Sequence, residues 1–512
     1  MNSPDVQGYQ DRRTWLVLAL VLALAAVVRV LSFRGYTTYD AAEYARLAHM
    51  MVSGDFRIGM LWFYPVFSVR VGLFAPVALA FQAIGVNEVA LTAYPFLLSM
   101  AGVVVAYVAA KAMFGARAGL VAACLVALLP IDVRHASQLL PDLPAAFWMN
   151  AGVLLVYAGS RQGVVSRKVT LGALAGLALV ASWLCKETVL YLIPFVGLYM
   201  LWLAYKDRRN LALLLAATVV ALFLVGLEGW IYHRYAGDYL FRFHALHRNS
   251  EGARLAIPAF TLAGMAHYLV HRITVVLRET LLNAYFAFTP AVALVACAYA
   301  IFRRSRRFLL PGLWFGWLLL VFSFGSGSLR AYLPLNLVTT RFQFPMLLPS
   351  ILLVSGLVSS LLASREPNEP ERSRGRRLIC GLLVSVCLAC ASLVMVAWGI
   401  SSGMGRRCRA EREFARVLKP TDPLYTDPHT AIALEFFWGF PATDSTHDFR
   451  GMSLSQPPPG AYVLLNRDEL NMLVRNATYV PPEFRDSVPP AWQRLEDRDN
   501  ATLYRVPPLV PR

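Results

Sequence analysis

The stretch PVFSVRVGLFAPVALAFQAI, Pro65 to Ile84, decides how this chain is laid out, because it is long enough to cross a bilayer yet carries Arg70, Pro76 and Gln82. Counting it as a membrane span inverts the side assigned to every later loop. The run Arg303-Arg304-Ser305-Arg306-Arg307 settles the choice. If Pro65 to Ile84 is left as an interfacial or re-entrant segment, that run and every other Arg-rich short loop fall on the cytoplasmic side, as the positive-inside rule requires.

Working outward, apolar stretches of about 17 to 25 residues give eleven spans. They begin near Thr14, Glu88, Arg117, Leu143, Val169, Thr188, Leu211, Leu282, Phe308, Phe342 and Leu378. Arg12-Arg13 and the loops Lys111 to Arg117, Arg161 to Lys168, Lys206 to Arg209, Arg303 to Arg307 and Arg365 to Arg377 hold 19 basic residues. The short loops on the other side hold one or two each. The first run, Thr14 to Phe33, lacks a small-residue cleavage site after it and reads as a retained helix.

Composition agrees. Of 512 residues 57% are hydrophobic and only 15% charged, with a mean hydropathy of +0.52, which excludes a soluble globular enzyme, a disordered chain and a disulfide scaffold. The net charge of +17 comes from 48 Lys and Arg against 31 Asp and Glu. Its cations sit mostly in short loops as topology signals, so no nucleic-acid partner is implied. Six of the seven cysteines lie in or at the ends of apolar spans and Cys408 alone is in a polar segment, which leaves neither a disulfide framework nor a paired-CxxC zinc site.

With the N-terminus inside and eleven crossings, residues 1–400 form a transmembrane module, and 401–512 lie outside the cytoplasm. Composition changes sharply there. Ala461 to Leu465 and Ala501 to Val506 are β-prone, and Pro457-Pro458-Pro459, Pro481-Pro482 and Pro489-Pro490 break the chain between and around them, so a small α+β domain is expected. Its sequons at Asn476 and Asn500 are too short to weigh.

This layout gathers ionisable residues at one membrane surface: Asp40 and Glu43 after the first span, Asp142 before the fourth, Lys186 and Glu187 between the fifth and sixth, and Arg341 at the start of the tenth. Charges near membrane depth are costly and mark function. From Asp40 on, Tyr44, Leu47, Ala48 and Met51 follow the spacing of an interfacial amphipathic helix. Asp40-x-x-Glu43 reads equally as a capping box or as the place of a catalytic base. Asp142 after Pro141 reads as a plain N-cap or as a site residue, and Lys186, Arg341 and above all Arg70 as snorkelling cations or as anion ligands.

Asp40-x-x-x-Tyr44-Ala45, Ser53-Gly54-Asp55-Phe56, the apolar stretch after Tyr64-Pro65, Pro141-Asp142-Leu143-Pro144, Cys185-Lys186-Glu187-Thr188 and Arg341-Phe342 with Pro345 and Pro349 follow one another in order. Over about residues 10 to 400 the chain resembles the polyprenyl-phosphate-sugar glycosyltransferases of the C-type superfamily (GT-C), in the lipid A aminoarabinose transferase and protein O-mannosyltransferase branch. It departs from that pattern at Ala41, where relatives often have Glu, and at Tyr64, where they often have Lys.

The resemblance implies an all-α polytopic membrane enzyme of about eleven transmembrane helices. Its reaction is an inverting transfer from a polyprenyl-phosphate-linked sugar to a glycan, lipid or protein acceptor on the extracytoplasmic face. It also implies roles: Asp40 as base, Asp142 positioning the acceptor or a cation, and Lys186 and Arg341 holding phosphate. Glu43, Tyr64, Arg70, His135 and Glu187 complete the expected substrate contacts. Arg far outnumbers Lys, which suits a GC-rich bacterial genome and so a bacterial inner membrane and an envelope acceptor. The loop Glu228 to Arg278 carries five of nine histidines, and His267-x-x-x-His271 could hold a divalent metal. Without a third ligand at fixed spacing no metal is assigned, and the loop reads as an interfacial helix among membrane lipids. The rival readings are a transporter or flippase for lipid-linked sugars and an inactive binding subunit. Matching halves with broken helices, which a transporter would show, are not seen in the sequence.

Overall fold

The structure is a computed structural model that describes residues 4–37, 39–58, 65–251, 270–325, 340–362, 371–401, 408–441, 446–448, 457–475, 480, 484 and 488–508. The chain divides into two compact units, one of residues 1–33, 57–73 and 95–402, the other of 34–56, 74–94 and 403–512. The C-terminal tail thus folds in one unit with two segments drawn from early in the chain.

Among the described residues seven helices are long and apolar enough to cross a membrane: Thr14–Leu31, Glu88–Phe114, Asp142–Ser160, Val165–Cys185, Asn210–Ala236, Arg306–Phe324 and Arg341–Leu362. The chain is an integral membrane protein. Each of the seven falls on an expected span, and the other four expected spans coincide with the shorter apolar helices Ala116–Leu128, Ile193–Lys206, Thr289–Phe302 and Ser385–Gly399. Pro65 to Ile84 breaks into helices Pro65–Ser68 and Val71–Ile84. At 1.5 Å per residue the second is about 21 Å long, short of a ~30 Å hydrocarbon core.

In the first unit a buried cation ties the early helices. Arg29, wholly buried near the end of helix Pro4–Leu31, donates from Nε to Ser99 Oγ (2.7 Å), from Nη1 to the carbonyls of Ala25 (3.1 Å) and Ala127 (2.9 Å), and from Nη2 to the Val126 carbonyl (3.3 Å) and Asp132 Oδ1 (2.5 Å). These partners account for all five guanidinium N–H groups. Ser99 Oγ also donates to Asp132 Oδ1.

Helices Asp142–Ser160, Val165–Cys185 and Asn210–Ala236 pack as a closely spaced set. Lys168, which the sequence reading counts as a loop cation, is instead buried: its Nζ meets Asn210 Oδ1 at 2.6 Å and the carbonyls of Ser160 (3.3 Å) and Gly159 (3.5 Å). It therefore caps the C-terminal end of helix Asp142–Ser160, where the helix dipole favours a cation. Gly172 and Gly176 let the next two helices approach: a methyl added at either would lie 2.4 Å from a carbonyl oxygen, that of Leu213 or Ala217 respectively. Small residues four apart are the membrane-helix solution to close backbone packing.

In the second unit the tail forms the expected α+β domain. Its strands are β1 (Leu424–Thr426), β2 (Thr446–Asp448), β3 (Tyr462–Asn466), β4 (Gln493–Arg498) and β5 (Ala501–Arg505), in the order β2-β1-β3-β5-β4. β1 runs parallel to β2 and β3, while β5 is antiparallel to β3 and β4. Val463, Leu465, Trp492 and Val506 fill one core, and Phe414, Leu434, Leu464 and Leu503 another. The successive strand residues Val463 and Leu464 point to opposite faces, so both faces of β3 are buried.

Gly176→Val should push the Val165–Cys185 and Asn210–Ala236 helices apart and destabilise the protein by about 1–3 kcal/mol. Thermal unfolding in detergent measures this. An unchanged midpoint would refute the close contact.

Candidate functional site

Arg242 organises the site's scaffold within the first unit. Its buried guanidinium donates to the Trp183 carbonyl (3.0 Å), to Glu228 Oε1 from both Nε (2.9 Å) and Nη2 (2.7 Å), and to the Val69 carbonyl. Trp183 Nε1 donates to Glu228 Oε2 at 2.5 Å and Tyr232 Oη to Glu228 Oε1 at 2.8 Å. The clamp thereby fixes the backbone next to Arg70 and that three residues before Lys186. A methyl at Gly72 would lie 2.8 Å from Leu184 Cβ, so these two segments are in close contact.

Lys186 directly follows helix Val165–Cys185, in extended conformation. Its Nζ lies 2.5 Å from Asp142 Oδ1 and 3.9 Å from the centroid of the Phe342 ring, with both charged side chains buried. Asp142 stands in the first turn of its helix, after a Pro141 N-cap with no side-chain cap bond. Its carboxylate thus serves the lysine, and Oδ2 is buried without a hydrogen-bond partner among the described residues. Arg341 stacks on Phe342 too, at 5.2 Å. One aromatic ring therefore contacts both cations.

Arg70 is only 11% exposed and does not snorkel: its Nη2 donates to Glu187 Oε1 (2.9 Å) and Oε2 (3.1 Å). Burial works against the Glu187 carboxylate, but Arg70 and Lys186 outweigh it and hold its pKa below the usual range. Burial lowers the Lys186 pKa, against the pull of Asp142. His135, buried at the end of helix Pro130–His135, donates from Nδ1 to the Ile131 carbonyl (2.9 Å) and meets the Phe344 ring edge-on at 5.1 Å. Burial, helped by Arg134 and Arg341, brings its pKa down to about 4.

The first unit therefore brings together Arg70 with Glu187, and Asp142 with Lys186, Phe342 and Arg341. Among the described residues, Arg70, Lys186 and Arg341 lie with the carboxylates of Glu187 and Asp142. Ring contacts from Phe342, which the sequence reading quoted only as part of a motif, had no signal in spacing.

In the second unit, Asp40 is half-buried in the first turn of helix Tyr39–Ser53. Glu43, one turn on, is 5% exposed, and its Oε2 is buried without a hydrogen-bond partner among the described residues. Ala41, Ala42, Tyr44, Ala45, Leu47 and Ala48 are all buried, so this helix is enclosed on more than the single apolar face expected of an interfacial helix. Its alanines leave room for packing on the remaining faces. Tyr36, just before it, stacks on Phe436 at 4.9 Å and donates its backbone N–H to Glu88 Oε1 (2.9 Å), which also takes Arg412 (2.6 Å).

Tyr64 and His267 lie outside the described residues; His271 is exposed. One His and carboxylate group with metal-ligand spacing occurs among the described residues, Asp427 with His429 and Glu469, in the second unit.

The fold is that of ArnT. Residues 73–232 match the family model described as dolichyl-phosphate-mannose-protein mannosyltransferase. The chain is similar in structure to ArnT from Cupriavidus metallidurans bound to undecaprenyl phosphate, with a TM-score of 0.61 and 15% identity over 96% of this chain and 97% of that one. The same enzyme's apo structure superposes with a TM-score of 0.58 at 15% identity over 96% and 98%. The Archaeoglobus fulgidus oligosaccharyltransferase in complex with Zn and sulfate matches with a TM-score of 0.53 at 14% identity, over 83% of this chain and 61% of that one. No curated protein sequence matches.

Removing one partner of the Asp142–Lys186 pair should cost about 3–5 kcal/mol by stranding a buried charge, and the double substitution Asp142→Asn with Lys186→Met should recover most of it. Strict additivity in a thermal unfolding cycle would disprove the coupling. His135 gives a pH signature. Its folded pKa of about 4 lies below the ordinary imidazole value of 6.5, so the unfolded chain binds the proton first as pH falls. Its stability contribution is therefore whole above about pH 6.5 and drains away down to about pH 4. His135→Gln should flatten that limb of the stability profile; an unaltered slope would contradict the buried neutral imidazole.

Proposed function

We propose that this chain is an inverting glycosyltransferase that moves a sugar from a polyprenyl-phosphate donor to an envelope glycan, lipid or protein acceptor. Its site and C-terminal domain are on the extracytoplasmic face of a bacterial inner membrane. The observation that carries the reading is the arrangement of buried Lys186 with half-buried Phe342 and Arg341, and with Arg70 at hand, in a fold that an undecaprenyl-phosphate-bound enzyme shares. Residues 1–400 supply the transfer module, and 401–512 help to select the acceptor.

The reaction forms a bond between the acceptor oxygen and the anomeric carbon, and breaks the bond from that carbon to the phosphate oxygen. The acceptor proton goes to Asp40. The polyprenyl phosphate leaves as an anion, so it needs cations more than a general acid. Lys186 and Arg341 hold it, the latter through a planar fork suited to phosphate. Asp142 keeps Lys186 charged and in place, since burial alone would favour its neutral form. Glu187 orients Arg70 toward the same group, His135 contributes a neutral nitrogen, and Glu43 and Tyr64 contact substrate.

Purified chain should transfer label from at least one member of a radiolabelled polyprenyl-phosphate-sugar panel to acceptor. Asp40→Asn should lower that rate by about 10²–10⁴-fold while donor binding persists. A wild-type rate in the variant would remove Asp40 from the mechanism. Donor binding without turnover by the wild type would instead favour a binding subunit or transporter.

A further inference from the structure

The C-terminal sheet brings a set of metal-ligand side chains to one edge. β1 and β3 run parallel and adjacent, and each leads straight into a helix, Pro428–Phe437 after Asp427 and Arg467–Arg475 after Asn466. The carboxyl ends of parallel strands are where α/β sheets place their ligands. Asp427 stands at the end of β1, His429 two residues later, and Glu469 in the first turn of the helix after β3.

A carboxylate oxygen of Asp427, one of Glu469 and a ring nitrogen of His429 lie within 4.8 Å of one another. Asp427 is 1% exposed. Its Oδ1 caps the helix by accepting the backbone N–H groups of His429 (3.0 Å) and Thr430 (2.9 Å). Its Oδ2 is buried beside the Thr430 hydroxyl, with no other hydrogen-bond partner among the described residues. Stranding a carboxylate oxygen in a buried place is costly unless something of opposite charge answers it. His429 Nδ1 and Glu469 Oε2 are 2.7 Å apart, sharing a proton that a metal can replace.

The surroundings add negative charge and hold the ligands. Glu411, 3% exposed, accepts from Asn466 Nδ2 at 2.6 Å, while Asn466 Oδ1 takes the backbone N–H groups of Asp468 and Glu469.

We propose that Asp427, His429 and Glu469 form a binding site for a divalent transition-metal ion of the Zn2+ class in the C-terminal domain. One imidazole with two carboxylates is a donor set that such ions accept, and three protein ligands leave a coordination position open. Side-chain rotation closes the observed spread to bonds of about 2.0–2.2 Å. The bound ion pins the helices after β1 and β3 to each other.

The test uses the full chain in detergent, stripped with chelator and then titrated with Zn2+ by equilibrium dialysis, with the Co2+ absorption spectrum as a geometric readout. Asp427→Asn keeps an oxygen for the helix cap while removing the anionic ligand; Glu469→Gln and His429→Gln remove the others. Each variant should bind one equivalent fewer than the wild type, or bind it at least about tenfold more weakly, and should lose the intense Co2+ band. Unfolding curves in the absence of metal check that the variants remain folded. If Asp427→Asn fails to fold, Glu469→Gln, on the other helix, decides alone. Equal stoichiometry and affinity in all chains would overturn the site, leaving His429 and Glu469 as an ion pair only.

Discussion

The buried guanidinium of Arg29 is the constraint on which the membrane unit depends. An arginine inside an apolar span is tolerated only if all its donors are met. Here they are, by a hydroxyl from helix Glu88–Phe114, two carbonyls at the end of helix Ala116–Leu128, a carbonyl of its own helix, and Asp132 in the short helix that follows. Five acceptors from four segments converge on this one side chain. The position of Pro130–His135, and with it the approach to Asp142, follows from that convergence.

The same device recurs closer to the site. Arg242 gathers the Val69 and Trp183 carbonyls, so the chain before Arg70 and the end of helix Val165–Cys185 move as one piece. Charges that must be satisfied in a low-dielectric setting act as positional locks, because any displacement uncovers a donor or acceptor with nothing to replace water. The Asp142–Lys186 pair differs in one respect. One aspartate oxygen and the face of Phe342 complete it, and Arg341 leans on the same ring.

Much of the fold was legible because apolar length and Arg-rich loops are local properties. The seven long helices and the β-prone runs near Tyr462 and Ala501 could be read from a short window. Lys168 could not. It looks like any loop cation, and only the approach of Asn210, 42 residues on, turns it into a buried cap. The helix after Asp40 read as amphipathic because Tyr44, Leu47, Ala48 and Met51 recur at helical spacing, yet Ala41, Ala42 and Ala45, off that stripe, are buried as well. The residues named for the site fell into two groups in the first unit, around Glu187 and around Asp142, a pairing that sequence order does not encode.

By itself the sequence determined that this is a polytopic membrane protein with a small mixed domain after its last span, since hydrophobic length and charge bias act residue by residue. Only the tertiary structure decided which charge meets which. Arg29 with Asp132, Arg70 with Glu187, Lys186 with Asp142 and His429 with Glu469 are separated by 103, 117, 44 and 40 positions. Such pairs form because a buried charge must find its counterpart wherever packing brings one. That is a property of the folded volume and not of the chain.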